Sequence, residues 1–239
     1  MEYKKAFDFL LYSYFGFDGG TKKIENNNDE ISKYCAKRAY LDLARTVKFK
    51  YSTSQLDEMK KKNSTRNEKD EAGAFTNAKE KLINGICESM IEGCNNNHFE
   101  EWHEKKCKDI KEKMNEATYK EKNSIIKDKT FTIGQAQKWL NMTLKYLWLL
   151  NILPNGLDEN HLHIPVDSYI IEAVSDKNDN YQYGLKSEIS TPKSSWSSWN
   201  DYSAYLEFQK QVKKAITEKY TPLEWESLAW IEVAKNKTN

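Results

Sequence analysis

Glycine and proline are scarce in this chain, nine and four among 239 residues. A β-sandwich or barrel needs a turn signal roughly every 8–12 residues. So few punctuating residues exclude an all-β fold and suit long helices. Cysteine is scarce as well. Cys35, Cys87, Cys94 and Cys107 follow no dense disulfide framework, which makes a reducing cytoplasm the expected compartment. Near the N-terminus, Ala6-Phe7-Asp8-Phe9-Leu10-Leu11 is too short and interrupted for a signal h-region or a membrane span, so no membrane is expected as a partner. An excess of one charge is also missing. With 37 basic and 36 acidic residues the net charge is +1, unlike an indiscriminate nucleic-acid binder or an acidic tail protein. A protein acting on DNA would need a local basic face.

Aromatic residues are what the chain does have: seven Trp, 14 Tyr and nine Phe. A few large rings bury enough area to build a core in an otherwise polar chain. The fold expected is all-α, one compact multi-helix domain over residues 1–239 and a monomer; a division into two lobes would put the cleft near 131–174. Apolar residues at i, i+3 and i+4 (Phe7, Leu10, Leu11, Tyr14) predict a helix over Tyr3–Tyr14, stopped by Gly16-Phe17-Asp18-Gly19-Gly20. After a loop through Asn26-Asn27-Asn28, a second helix is expected over Ile31–Phe49, with Tyr34, Cys35, Arg38, Leu41, Ala44 and Arg45 as its buried stripe. Residues 54–70 read as linker or solvated helix. Helices follow at Ala74–Met90, capped by Gly93, and at His98–Met114. Residues 176–199, with Gly184 and Pro192, read as loop before helices at Tyr202–Lys219 and Pro222–Val233. Thr221-Pro222-Leu223-Glu224 carries a capping box with Pro at the first helical position.

Chemistry concentrates between Phe131 and Val174. Phe131-Thr132-Ile133-Gly134 reads as a turn into a helix whose apolar stripe is Trp139, Leu140, Leu144 and Leu147. Lys138, Asn141 and Lys145, at i, i+3 and i+7, share a polar face. A loop through Pro154-Asn155-Gly156 leads to His163-Ile164-Pro165-Val166-Asp167, where Pro165 and Asp167 suit the first turn of another helix.

A Gly-containing turn, a helix with a lysine near its start, and an Ile-Pro-Val-Asp segment ending 29 residues after that lysine resemble the helix-hairpin-helix DNA glycosylase superfamily. The archaeal 8-oxoguanine DNA glycosylase type is the most similar, through Lys138-Trp139-Leu140-Asn141-Met142-Thr143-Leu144-Lys145. The resemblance spans residues 131–174 and implies excision of a damaged or modified base from double-stranded DNA. Asp167 would stabilise positive charge at C1′ as the glycosidic bond breaks, and Lys138 would attack C1′ to form a Schiff base. Gly134, Gln135, Asn141 and Lys145 become candidates for DNA contact. Trp139, Trp148, Trp196 and Trp199 become candidates for an aromatic pocket or wedge, and Arg38, Arg45 and Lys145 for a basic rim. The hairpin itself is degenerate, with one glycine in Ile133-Gly134-Gln135-Ala136-Gln137-Lys138. If Gly134 matches the last hairpin glycine, Ala136 occupies the lysine position and the enzyme lacks lyase activity. No cysteine follows Cys107, so the iron–sulfur cluster of some relatives is not expected, nor is any other cofactor.

Two further readings remain. Cys94, His98, His103 and Cys107 are spaced C-x3-H-x4-H-x3-C, whose outer pairs at i, i+4 could clamp zinc; ordinary packing is the better expectation, since His103 and Cys107 share a helix face with Ile110. In place of an enzyme, the chain could be a helical module binding nucleic acid or a protein partner, in which Asp167 and Lys138 do only structural work.

Overall fold

The computed structural model describes residues 2–18, 20, 24, 28–47, 49–50, 68–116, 126–127, 130–154, 156–175, 181–185, 189–190, 194–216 and 219–238. The expectations for Gly19, Asn26, Asn27, Asn155 and Pro192, and for all but the last residues of 54–70, fall outside that set. Among the described residues the chain is all-α, with eight α-helices: α1 Glu2–Leu10, α2 Asn28–Leu43, α3 Glu68–Glu88, α4 Phe99–Glu116, α5 Ile133–Leu149, α6 Ser168–Ala173, α7 Tyr202–Ala215 and α8 Pro222–Thr238. Phe49–Lys50 pairs antiparallel with Ile126–Lys127, a ladder two residues long. No described helix is long and apolar enough to cross a membrane.

Local chemistry sets most boundaries. α1 passes into a π-helical turn over Leu11–Phe15, ended by Gly16 at φ +72°, a left-handed position that glycine adopts at little cost. Gly93 plays the same part at φ +73° in the turn between α3 and α4. α5 opens on a full capping box, with Thr132 accepting from the Gln135 N–H and the Gln135 side chain from the Thr132 N–H. α8 opens on the expected box between Thr221 and Glu224.

α5 is the axis of the fold. It packs against α2, α4 and the 3₁₀ turn Trp196–Ser198, while α6 packs on α8. Burial of α5 is almost complete, from Ile133 through Leu144 and again at Tyr146 and Leu147. Trp139 is fully buried and donates its indole N–H to the Ala36 carbonyl of α2 at 2.8 Å. That approach turns α2 away from the expected orientation. Ile31, Cys35, Ala36, Ala39, Tyr40 and Leu43 face the core, while Leu41 is 60% exposed and Arg45 lies outside. The Trp139 ring reaches the Ala36 carbonyl and packs on the Tyr40 ring at 4.9 Å between centroids. α2 also ends earlier than expected. Gln135 donates to the Thr46 carbonyl at 2.9 Å, and the chain is extended by Phe49.

Candidate functional site

The amine and the carboxylate singled out in the sequence meet. Lys138 Nζ, from the second turn of α5, donates to Asp167 Oδ2 at 2.9 Å, with 6% and 16% of the two side chains exposed. Asp167 stands one residue outside its helix. It is the N-cap of α6, not part of the first turn, because its own backbone is extended. Its Oδ1 accepts the Tyr169 and Ile170 N–H groups at 2.9 and 3.1 Å, and its Oδ2 also accepts the Trp230 indole N–H at 3.1 Å. Burial opposes ionisation of this carboxyl. The Lys138 charge and hydrogen bond, the Ile170 N–H and the Trp230 indole outweigh it and hold Asp167 below the usual aspartate range.

A second pair lies two turns along the same helix face. Lys145 bonds Glu226 of α8, whose side chain is 1% exposed. Burial drives the Glu226 carboxyl up, Lys145 and Lys138 draw it back, and Asp167 repels it; the balance stays above the ordinary glutamate value. Lys145 is therefore an interior charge, not part of a basic rim. Trp230, one turn after Glu226, is 37% exposed, its ring packed on Tyr169 at 4.9 Å between centroids. Lys237 lies over the Tyr169 ring at 4.4 Å and reaches Glu172 at 2.5 Å. Lys138, Asp167, Tyr169 and Trp230 thus form one partly open cluster.

The other residues read from the sequence have structural roles. Gly134 donates its N–H to the Trp199 carbonyl at 2.8 Å, and a Cβ there would sit 1.8 Å from the Trp196 carbonyl oxygen. Thr132 donates its hydroxyl to the Ser197 carbonyl at 2.8 Å. The α5 N-terminus is closed by protein carbonyls and its own cap, so the Gly134 and Gln135 N–H groups are committed and do not await a DNA phosphate. Trp139 is core. Trp148 bonds Glu159 at 2.5 Å, while Trp196 and Trp199 are buried in the loop that closes α5. Arg38 lies under the Tyr14 ring at 4.1 Å and pairs with Asp42 at 3.3 Å. That cluster also holds Tyr146, bonded to Asp42 at 2.5 Å.

The four residues considered for zinc do not come together. α4 begins at Phe99, so Cys94 and His98 are not on a helical turn. His98 is exposed beside Glu101, while His103 and Cys107 point into the core. Among the described residues no group of three or more His, Cys, Asp or Glu could hold a metal. Burial raises the Cys107 thiol well above its usual value and takes Cys94 to about 12, so neither is a ready thiolate.

His103 belongs instead to a buried chain that includes Asn141. Asn141 Nδ2 donates to the Ile164 carbonyl at 3.1 Å, which fixes the amide's orientation. Its Oδ1 then accepts from His103 Nε2 at 2.8 Å, leaving Nδ1 to accept the Tyr202 hydroxyl at 2.8 Å. Burial, and then the neighbouring His163, keep the His103 pKa well below its ordinary value. On the other side the two Asn141 Nδ2 hydrogens are shared among the Ile164 carbonyl, Gln137 Oε1 and the Tyr205 hydroxyl, the last at 2.8 Å; Tyr205 donates to His163 Nδ1 at 2.9 Å, and His163 Nε2 to Glu100 at 3.1 Å. Glu226, Trp230, Gln137, His163 and Tyr205 were not singled out in the sequence. The only signal for Trp230 was an aromatic one turn after a carboxylate in the last helix.

In comparisons with known proteins, no family model, no curated protein and no solved structure matches the chain.

Proposed function

We propose that the chain is a DNA glycosylase that excises a modified base, with Asp167 and Lys138 at the reacting carbon. The observation that carries this reading is the 2.9 Å contact between Lys138 Nζ and Asp167 Oδ2. It joins the two groups such chemistry needs, from segments 29 residues apart. As C1′ of the target nucleotide comes within reach, the Lys138 ammonium passes a proton to Asp167. The neutral amine adds to C1′ while the glycosidic bond breaks, and Asp167 returns the proton to the departing base. Asp167 ends as a carboxylate facing the cationic adduct, where its charge helps most. Trp230, exposed beside Asp167, offers a stacking surface to an extruded base.

The test is a panel of duplex oligonucleotides carrying 8-oxoguanine, an alkylated purine or a modified pyrimidine, assayed for base release and for borohydride-trapped complex. Release by the native chain is expected, with loss in Asp167→Asn; Lys138→Gln should abolish trapping. Absence of release across the panel would overturn the reading. One observation favours a non-enzymatic helical module that binds DNA or a protein: the Asp167 oxygens already accept four hydrogen bonds, as a structural cap would. On that reading Asp167→Asn leaves partner binding unchanged.

A further inference from the structure

Asp167 is delivered by a segment with an unusual environment. Leu162 through Val166 is buried and lies outside any helix or strand, with extended backbone at Leu162 and again at Asp167 just beyond it. Such chain in an interior carries N–H and C=O groups that need partners. The only ladder among the described residues, Phe49–Lys50 with Ile126–Lys127, does not involve this segment. Pro165, within it, has no N–H to offer. Side-chain amides take the place of a neighbouring strand. Gln209 of α7 donates to the Ile164 carbonyl at 2.8 Å and accepts the Ile164 N–H at 3.1 Å. Gln137 of α5 donates to the Val166 carbonyl at 3.1 Å and accepts the Val166 N–H at 3.3 Å. The N–H and C=O of one residue in an extended chain face the same side, so one primary amide can close both, as a strand partner does. Gln137 is itself held, donating to the Gly134 carbonyl at 2.9 Å and accepting from Asn141 at 3.1 Å.

We propose that Gln137 and Gln209 are positioning residues for the Lys138–Asp167 pair. Their amides fix the register of the segment at Ile164 and Val166, and so set where the Asp167 carboxylate meets Lys138. Gln137 and Lys138 are adjacent on α5, so one helical turn carries both the amine and the clamp that presents its partner. The charged groups facing Asp167 are Lys138 of α5 and Glu226 of α8, the latter paired with Lys145. Neither glutamine is charged, so their replacement acts on Asp167 through position alone. The catalytic consequence rests on the glycosylase reading; the positional claim does not.

The test is a titration of the full chain carrying carbon-13 at the aspartate carboxyls, with Asp167→Asn assigning the signal. The native Asp167 midpoint is expected below the ordinary aspartate value. In Gln137→Leu and Gln209→Leu it is expected to rise by about half a pH unit or more. Should a leucine variant fail to fold, Gln137→Asn and Gln209→Asn keep the polarity but are one methylene too short to close both bonds, and the same rise is expected. For excision, the single-turnover rate should fall about ten- to a hundredfold, its acid limb displaced upward, with duplex affinity unchanged. A purely architectural role would lower the folded fraction without moving the limb. An Asp167 midpoint at the native value in the folded variants overturns the proposal. A native chain that releases no base overturns the glycosylase reading instead, and the titration still decides the positioning.

Discussion

Lys138 and Lys145 lie two turns apart on one face of α5, and each pairs with a carboxylate from a C-terminal element. The two carboxylates are nevertheless displaced in opposite directions, Asp167 below its ordinary value and Glu226 above. The lysines do not explain the contrast; the other partners do. Asp167 caps a helix and collects two backbone N–H groups and an indole N–H. Glu226, at 1% side-chain exposure, sits inside α8, where the helix has no free N–H to give. A lysine neutralises a buried carboxylate, but a helix N-terminus is what makes its ionised form comfortable. That division suits the proposed chemistry, since the group needed as an anion is the one with backbone support.

The contrast can be broken most severely at Lys138. In Lys138→Met the Asp167 carboxylate keeps its N–H donors but loses its cation, and leaving one partner of a buried pair costs about 3–5 kcal/mol. Urea unfolding at pH 7 measures it; a loss under about 1 kcal/mol would mean that the N–H donors alone hold the charge. Exchanging whole pairs for apolar residues sharpens the comparison. Lys145→Met with Glu226→Leu should be neutral or stabilising by about 1–4 kcal/mol. Lys138→Met with Asp167→Leu should lose about 1 kcal/mol more than that exchange, because a cap disappears with the charge.

Smaller effects come from pH, and the two pairs differ in sign. The Glu226 pKa is raised on folding, so its contribution to stability is present at low pH and is lost as pH rises from the ordinary glutamate value through the folded one. Glu226→Gln removes that loss, and its stability relative to the native chain should improve from pH 4.5 upward. Asp167 is depressed, so its contribution is present above the ordinary aspartate value and is lost as pH falls through the folded one. The penalty of Asp167→Asn should be largest near pH 7 and shrink below about pH 4. Parallel pH trends in the two variants would remove the distinction between the pairs.

Helix type and most helix ends were legible because they depend on neighbours in sequence. Thr132 with Gln135, Thr221 with Glu224, and the glycines at 16 and 93 act within a few residues. The meeting of Lys138 and Asp167 was expected only through the resemblance carried by residues 131–174, not from any spacing within either element. The direction each face points was not. Lys138, Asn141 and Lys145 do share a face, but that face is interior, because Ile164 and Val166 arrive with backbone groups in need of partners. Nothing within α5 announces that need. The α2 stripe was misplaced for a similar reason: Trp139, 103 residues past Ala36, bonds its carbonyl and packs on Tyr40, which sets the face α2 buries. Trp230 reaches Asp167 from 63 residues away, with no local pattern to mark it.

The hydrogen-bonded chain through Asn141 has a consequence for how this interior can change. Its six side chains, Glu100, His163, Tyr205, Asn141, His103 and Tyr202, come from α4, α5, α7 and the segment before α6, and each proton follows from the one before it. Losing Tyr202 leaves His103 Nδ1 to the Cys107 thiol, 3.7 Å away. Losing Tyr205 frees His163 Nδ1 and leaves two imidazoles with centroids 4.5 Å apart without the hydroxyl that orders one of them. Substitution is therefore tolerated from the ends of the chain inward. Sequence drift among proteins that keep this fold should begin at Glu100 and Tyr202 and reach Tyr205 and Asn141 last.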